Sequence, residues 1–382
     1  MMRNIIIFGA SGNIGQQALQ IIESNPNDFQ LTAVSIYHNV AVLHKILQKH
    51  QTITIIHLGD ETHQAALATQ YPNITFVTGE AGIDAMLAVD PTAMVLNAIG
   101  GFAGLYPTLQ TLAGKNRTLL LANKESLVVA GGLINSLLTK NNNQLYPIDS
   151  EHCAIFQCLE QNNRCQELIL TASGGMFADK TLAELKTIDE HQVLQHPTWT
   201  MGQNITIDSS TMVNKGLEII EAYHLFKTTN ITVVLHPQSV LHSAVQYEDY
   251  SILAQLSKPS MLQVLNYFLY YPVRKYNALL PPLEFSELMT LTFQKADLSR
   301  WKALQLAYRC LNENNSLAVT FNAANEELRG LFLAGKIKFY QIVDYIEYFM
   351  NQIKLQKLVN YLQIKKLNDI IKRDIINYFS KK

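Results

Sequence analysis

Cysteine is scarce in this chain. Among 382 residues there are four, Cys153, Cys158, Cys165 and Cys310, and no two of them form a Cys-x-x-Cys pair. No histidine spacing beside them matches a zinc site, so reduced, mostly buried thiols are expected rather than a zinc centre or a disulfide framework. Charge of one sign is also missing. The formal net charge is −1, which leaves no global field to draw the chain to nucleic acid or anionic lipid. A small anionic substrate has to be met by local cations and backbone amides. Long apolar runs are lacking as well: the stretch from Thr118 to Leu138 is interrupted by Asn123, Lys124, Glu125 and two glycines, too broken for a membrane span. Asn4-Ile5-Ile6-Ile7-Phe8 already reads as a first strand, so no secretory or transit segment is expected and the location expected is cytoplasmic. The last thirty residues carry eight Lys/Arg against two Asp; a solvated helix face is the better reading of that run than a membrane or nucleic-acid contact.

What is present is a large apolar inventory. At this length, with 48% hydrophobic and 16% charged residues, the chain is expected to form two or three domains. Short apolar runs at Ile5–Phe8, Leu31–Ile36, Ile53–His57, Ile74–Thr78, Met94–Asn97 and Thr118–Ala122 alternate with helical patterns at Gly15–Glu23, Val40–Lys49 and Glu61–Gln70. That rhythm predicts an α/β protein whose N-terminal domain, residues 1–148, is a Rossmann-type parallel sheet. A central α+β domain is expected over 149–280, with strands Leu168–Thr171 and Ile231–Leu235 among long loops that display most of the polar residues. Pro281-Pro282 opens a stiff connector over 281–298. A helical domain over 299–382 follows, poor in glycine and proline.

Gly9-Ala10-Ser11-Gly12-Asn13-Ile14-Gly15 follows a strand and opens a helix. Glycines at that turn let backbone amides approach a pyrophosphate, which then sits at the positive end of the helix. Plain strand–helix packing is the competing reading, and the β-α-β series that follows favours a dinucleotide. At the end of the second strand stands Ser35-Ile36-Tyr37-His38-Asn39, with no acid for a ribose 2′-hydroxyl. His38 and Asn39 read either as facing a 2′-phosphate, which favours NADPH, or as a surface loop with no contact.

Acidic residues recur in two places. Asp149 and Glu151 flank Ser150, and an extended backbone would put both carboxylates on one face. Two close carboxylates repel unless a cation or proton lies between them, and oxygen ligands suit Mg²⁺ or Mn²⁺. In Asn214-Lys215-Gly216-Leu217-Glu218, continued as a helix, Asn214, Lys215, Glu218 and Glu221 form one polar stripe among apolar residues. Such a helix is largely buried, and a buried Glu218 needs a metal, a cation such as Lys215, or hydrogen bonds. Ser209-Ser210-Thr211 and Thr171-Ala172-Ser173-Gly174-Gly175 read either as oxyanion cradles or as caps and turns. Lys124 stands at the C-terminal end of a strand, where α/β sheets place ligands. His196-Pro197-Thr198-Trp199-Thr200-Met201-Gly202 reads either as a lid over a reacting centre or as a core aromatic.

Taken in order, these motifs resemble the 1-deoxy-D-xylulose 5-phosphate reductoisomerases, which make 2-C-methyl-D-erythritol 4-phosphate for isoprenoid synthesis. The resemblance runs from the Gly9–Gly15 loop to Asn322-Ala323-Ala324-Asn325-Glu326. Its most specific pieces are Asp149-Ser150-Glu151-His152, His196 to Gly202, Asp208 to Glu218, and His236-Pro237-Gln238-Ser239. It implies an NADPH- and divalent-metal-dependent homodimer in which Asp149, Glu151 and Glu218 ligate Mg²⁺ or Mn²⁺. Lys124 and Ser150 would contact the hydroxyl and carbonyl region of the phosphorylated sugar. Ser173, Ser209, Asn214 and Lys215 would hold its phosphate, and His196 would close over it with Trp199 and Met201 as flap residues. Ser11, Gly12, Asn13, Ile14, Asn123, Glu125 and Gly202 would contact the coenzyme. Two departures stand out: Tyr37-His38-Asn39 replaces the usual Gly-Lys-Asn, and Leu256-Ser257-Lys258-Pro259-Ser260-Met261-Leu262 keeps only Pro259 and Met261 of a usual Pro-Asp-Met-Arg loop. Two other readings remain, an NADP-dependent dehydrogenase of the semialdehyde or homoserine type and a non-catalytic nucleotide sensor. Neither needs three converging carboxylates.

Overall fold

The structure, a computed structural model, describes residues 2–177, 180–188, 190–193, 202–287 and 290–381. Of the residues singled out above, His196, Trp199 and Met201 lie outside the described residues. Tertiary contacts divide the chain into two compact units, each assembled from three stretches. The first comprises Met1–Ser126, Ile134–Asp149 and Ser260–Pro281; the second comprises Leu127–Leu133, Ser150–Pro259 and Pro282–Lys382.

The first unit is built on seven parallel strands: β1 (Arg3–Phe8), β2 (Phe29–Ile36), β3 (Ile55–Leu58), β4 (Thr75–Thr78), β5 (Met94–Asn97), β6 (Thr118–Leu121) and β7 (Gln144–Pro147). Their order is β4-β3-β2-β1-β5-β6-β7, so the strand order reverses between β1 and β5. Ile5, Ile6 and Ile7 are fully buried, as an apolar run covered on both faces requires. β7 pairs with β6 at the sheet edge. The helix Met261–Tyr270 packs on the helix Asn13–Ser24. Arg3 donates to the Leu269 carbonyl at 2.5 Å and the Tyr270 hydroxyl donates to Asp28 at 2.7 Å. These contacts group residues 260–281 with the parallel sheet, where the sequence-based division had 260–280 in the central domain and 281 in the connector.

The second unit holds a mixed sheet of β8 (Cys165–Ala172), β9 (Ile231–Leu235), β10 (Leu241–Tyr247), β11 (Ile252–Leu256) and β12 (Gln294–Lys295), in the order β11-β10-β8-β9-β12. The helix Ser150–Cys158 packs on β10 and β11, and the helix Val213–Phe226 packs on Lys302–Asn312. The helix Ser316–Leu333 is flanked by Gln341–Gln352 and Tyr361–Ser380. These C-terminal helices group with 150–259 rather than by themselves. In the basic terminal helix Ile364, Leu367, Ile371 and Ile375 face inward, while Lys372 meets Glu326 at 2.7 Å. None of the four cysteines forms a disulfide. Among the described residues no helix is long and apolar enough to cross a membrane.

Candidate active site

In the first unit the C-terminal ends of β1, β5 and β6 meet at the reversal of strand order, where open α/β sheets place ligands. Gly9 has φ +80°, and a Cβ there would lie 2.6 Å from the Ala98 carbonyl oxygen. A Cβ on Gly15 would lie 2.4 Å from the Gly9 carbonyl oxygen. Those two glycines are therefore sterically required. Gly12 is the N-cap of the helix Asn13–Ser24 and makes no side-chain cap bond. Its backbone, with that of Ser11, Asn13 and Ile14, forms the turn into the helix, and Gly12 and Asn13 are exposed. Asn123 reaches the Ile99 and Gly101 carbonyls and Glu125, each at 2.8 Å, while Glu125 accepts the Gly101 N–H at 3.1 Å. Both residues thus tie the loop after β5 to the end of β6. His38 is exposed at the end of β2, and Asn39 caps the helix Val40–Lys49 by accepting the Val42 N–H at 3.1 Å.

Two charged residues from adjacent strand ends form a pair in the same unit. Lys124 opens the helix after β6, Asp149 follows β7, and Lys124 Nζ donates to Asp149 Oδ2 at 2.9 Å. Asp149 is 9% exposed.

The second unit carries the other acids. Glu151 is not in an extended segment, as the sequence suggested, because a helix starts at Ser150. The correction has a local cause: Ser150 and Glu151 occupy the first turn, where an acid complements the helix dipole, and Ser150 Oγ donates to Glu151 Oε2 at 2.5 Å. The helix Val213–Phe226 buries Lys215, Glu218 and Glu221. Lys215 Nζ donates to Glu151 Oε1 at 2.9 Å and also to Glu218, and Asn214 donates to Glu218 Oε1 at 2.5 Å. Glu218 is 1% exposed, so the cation and amide carry what burial would otherwise penalise. A carboxylate oxygen of Glu151 and one of Glu218 lie within 4.8 Å of each other. This donor set, hard oxygens drawn together in a buried place, fits Mg²⁺ or Mn²⁺.

Ser173 and Ser209 come from separate segments that touch. Gly174 and Gly175 have φ +85° and +67°, and a Cβ on Gly175 would lie 2.7 Å from the Ser209 carbonyl oxygen. The segment after β8 is thereby laid against the end of the helix Gln203–Ser210, which Gly202 caps. Of the three neighbouring hydroxyls, Ser210 donates back to Thr206 O at 3.0 Å and Thr211 to Ile207 O at 3.0 Å. Ser209 and Ser173 remain partly exposed.

Sequence reasoning passed over three residues here. His152 Nε2 lies 3.0 Å from the Glu218 carbonyl and Nδ1 lies 3.2 Å from Glu221, so it braces the acidic helix; its place next to Glu151 was the available signal. Asp208 and Arg329 pair across 121 residues of chain, and nothing in either segment alone points to the other.

Known proteins resemble this chain over nearly its whole length. Family models described as 1-deoxy-D-xylulose 5-phosphate reductoisomerase and as that enzyme's C-terminal domain match residues 5–131 and 145–226, and a DXP reductoisomerase C-terminal domain model matches 256–374. The 1-deoxy-D-xylulose 5-phosphate reductoisomerase of Geobacillus sp. (strain WCH70) is 43% identical over 374 residues, covering 97% of each chain. That of Phocaeicola vulgatus is 40% identical over 365 residues, covering 94% of this chain and 95% of its own. Among solved structures, a DOX-P reductoisomerase in complex with NADPH, fosmidomycin and magnesium superposes with a TM-score of 0.94 at 32% identity, covering 99% of this chain and 98% of its own. The Zymomonas mobilis enzyme in complex with NADPH gives 0.91 at 33% identity and 99% coverage of both chains. The chain belongs to the 1-deoxy-D-xylulose 5-phosphate reductoisomerase family.

Proposed function

We propose that this chain converts 1-deoxy-D-xylulose 5-phosphate to 2-C-methyl-D-erythritol 4-phosphate, using NADPH and Mg²⁺ or Mn²⁺, in isoprenoid precursor synthesis. The observation that carries the reading is the Glu151–Lys215–Glu218 cluster, in which Lys215 and Glu218 are buried, in a chain related to these enzymes over nearly its whole length. Asp149 stands two residues before Glu151 in the sequence, and the proposed ligands are Asp149, Glu151 and Glu218. When bound, the divalent ion supplies Lewis acidity toward the ketone and adjacent hydroxyl oxygens, and NADPH supplies the hydride.

The chain's own groups do the rest. Lys124 and Ser150 orient the hydroxyl and carbonyl end of the sugar. Ser173, Ser209, Asn214 and Lys215 hold the phosphate, which anchors the substrate at a distance from the reacting carbons. His196, Trp199 and Met201 close over it and exclude water. The glycine turn at Ser11–Ile14, with His38, Asn39, Asn123, Glu125 and Gly202, receives the coenzyme. In this reading the parallel-sheet unit carries most of the coenzyme contacts together with Lys124 and Asp149, and the second unit carries Ser150, Glu151, Glu218, Gly202 and the phosphate residues. Cytoplasmic location and a homodimer belong to the same proposal; fractionation and light scattering test them. The dehydrogenase and sensor readings use the glycine turn but leave the buried acids without a task.

The test is NADPH oxidation with 1-deoxy-D-xylulose 5-phosphate, with and without chelator, in wild type and Glu218→Gln. Oxidation that needs the metal and yields the branched product is expected. Loss of a metal-directed carboxylate should lower kcat by roughly a hundredfold or more while leaving the Kd for NADPH unchanged. Full activity of Glu218→Gln with Mg²⁺ overturns the ligand assignment.

A further inference from the structure

Asp208 is an anion beside a segment proposed to hold another anion. It lies in the last turn of the helix Gln203–Ser210, one residue before Ser209, and is 5% exposed. Its carboxylate is turned to the helix Ser316–Leu333, where Asn325 Nδ2 donates to Oδ1 at 2.9 Å and Arg329 donates to Oδ2. Burial pushes the Asp208 carboxyl above its ordinary range, and Arg329 and Asn325 pull against that shift. A buried carboxylate held by a guanidinium and an amide is fixed in direction, because losing either partner strands a charge in a low-dielectric place.

The neighbouring segment is tied down from the same C-terminal region. Arg300 donates to the Phe177 carbonyl at 2.6 Å, two residues beyond Gly175, whose backbone rests on Ser209. Phe177 also packs edge-on against Phe339. Both serine segments are thus anchored by residues 300–339, and Ser209 is the partly exposed hydroxyl next to the anchored acid.

We infer that Asp208, gripped by Asn325 and Arg329, is a positioning residue that sets Ser209 toward the substrate phosphate. It acts through the backbone of the helix end and touches no substrate atom. The Arg329 cation also cancels a negative charge that would otherwise repel the phosphate. This inference rests on the phosphate role given to Ser209 above.

The experiment uses the full-length enzyme with NADPH and Mg²⁺, measuring KM for 1-deoxy-D-xylulose 5-phosphate and Ki for inorganic phosphate as competitor. Arg329→Met and Asp208→Asn are expected to raise both constants by about tenfold, with KM for NADPH unchanged. Arg329→Lys, which keeps a cation for Asp208 and guards against loss of the fold, is expected to recover most of that change. A clamp that only stabilises the fold lowers the melting temperature and leaves both constants alone. Unchanged constants in Arg329→Met and Asp208→Asn, where Ser209→Ala raises them, overturn the inference. If Ser209→Ala itself moves neither constant, the phosphate reading fails, and the inference falls with it.

Discussion

At the scale of single residues, His224 shows how burial makes stability depend on pH. It lies on the helix that carries Glu218, and burial, helped by the nearby Lys227 cation, lowers its pKa from 6.5 to about 4. The folded chain therefore holds His224 neutral, while the unfolded chain takes up a proton below 6.5. The stability this gives is present above the unfolded value and is lost as pH falls from 6.5 toward about 4. Allowing for its partial exposure, the loss should be on the order of 2–3 kcal/mol. Urea unfolding of wild type and His224→Gln across that window measures it: the wild type should lose stability more steeply. Parallel curves for the two proteins would remove His224 as the cause. The same helix shows what single residues reveal in advance. The stripe Asn214, Lys215, Glu218, Glu221 among apolar neighbours marked Glu218 as buried, and Lys215 and Asn214 are the partners found. The pairing of Lys215 with Glu151 spans 64 residues, which no local pattern encodes.

At the scale of elements, the helix Lys124–Lys140 holds a conflict between propensity and packing. It is kinked at Ala130, with φ −134° and ψ 19°. A Cβ on Gly131 would lie 2.2 Å from Cγ of the His224 ring, whereas one on Gly132 would meet nothing within 4 Å. Helix propensity alone favours alanine over glycine by up to ~1 kcal/mol. Overpacking a buried contact costs about 1–3 kcal/mol, so Gly131→Ala should destabilise and Gly132→Ala should be neutral or stabilising. Thermal unfolding of the two variants checks this, and a Gly131→Ala protein as stable as wild type would show that the ring moves aside easily. In the sequence the two glycines registered only as interruptions of an apolar stretch. The parallel strands were legible because each is an apolar run between helical patterns. β10 and β11 were hidden among loops because their burial does not alternate: β10 runs intermediate, four buried, intermediate, buried. The helix start at Ser150 was misjudged because two acids one residue apart suit both an extended face and a helix N-terminus.

At the scale of the whole molecule, each compact unit is assembled from three separated stretches. Such grouping depends on contacts between distant residues, so the Pro281-Pro282 connector was legible while the return of residues 260–281 to the parallel sheet was not. Glu151 and Glu218 are drawn together from positions 67 residues apart in the numbering, and Lys215 offsets part of their charge from within the fold. A bound divalent ion would add a second source of neutralisation that the unfolded chain cannot offer, so Mg²⁺ should stabilise the folded protein by linkage. At about a hundred times its Kd the gain is about 2.7 kcal/mol, which should appear as a rise of roughly a few degrees in Tm. Glu218→Gln removes one of the proposed oxygens and leaves Lys215 its contact with Glu151, so its own fold should hold while its response to Mg²⁺ shrinks. Thermal scans of both proteins, with chelator and then with excess Mg²⁺, separate these effects without any turnover. A Glu218→Gln protein that gains as much from Mg²⁺ as wild type would place the ion's binding energy away from this carboxylate.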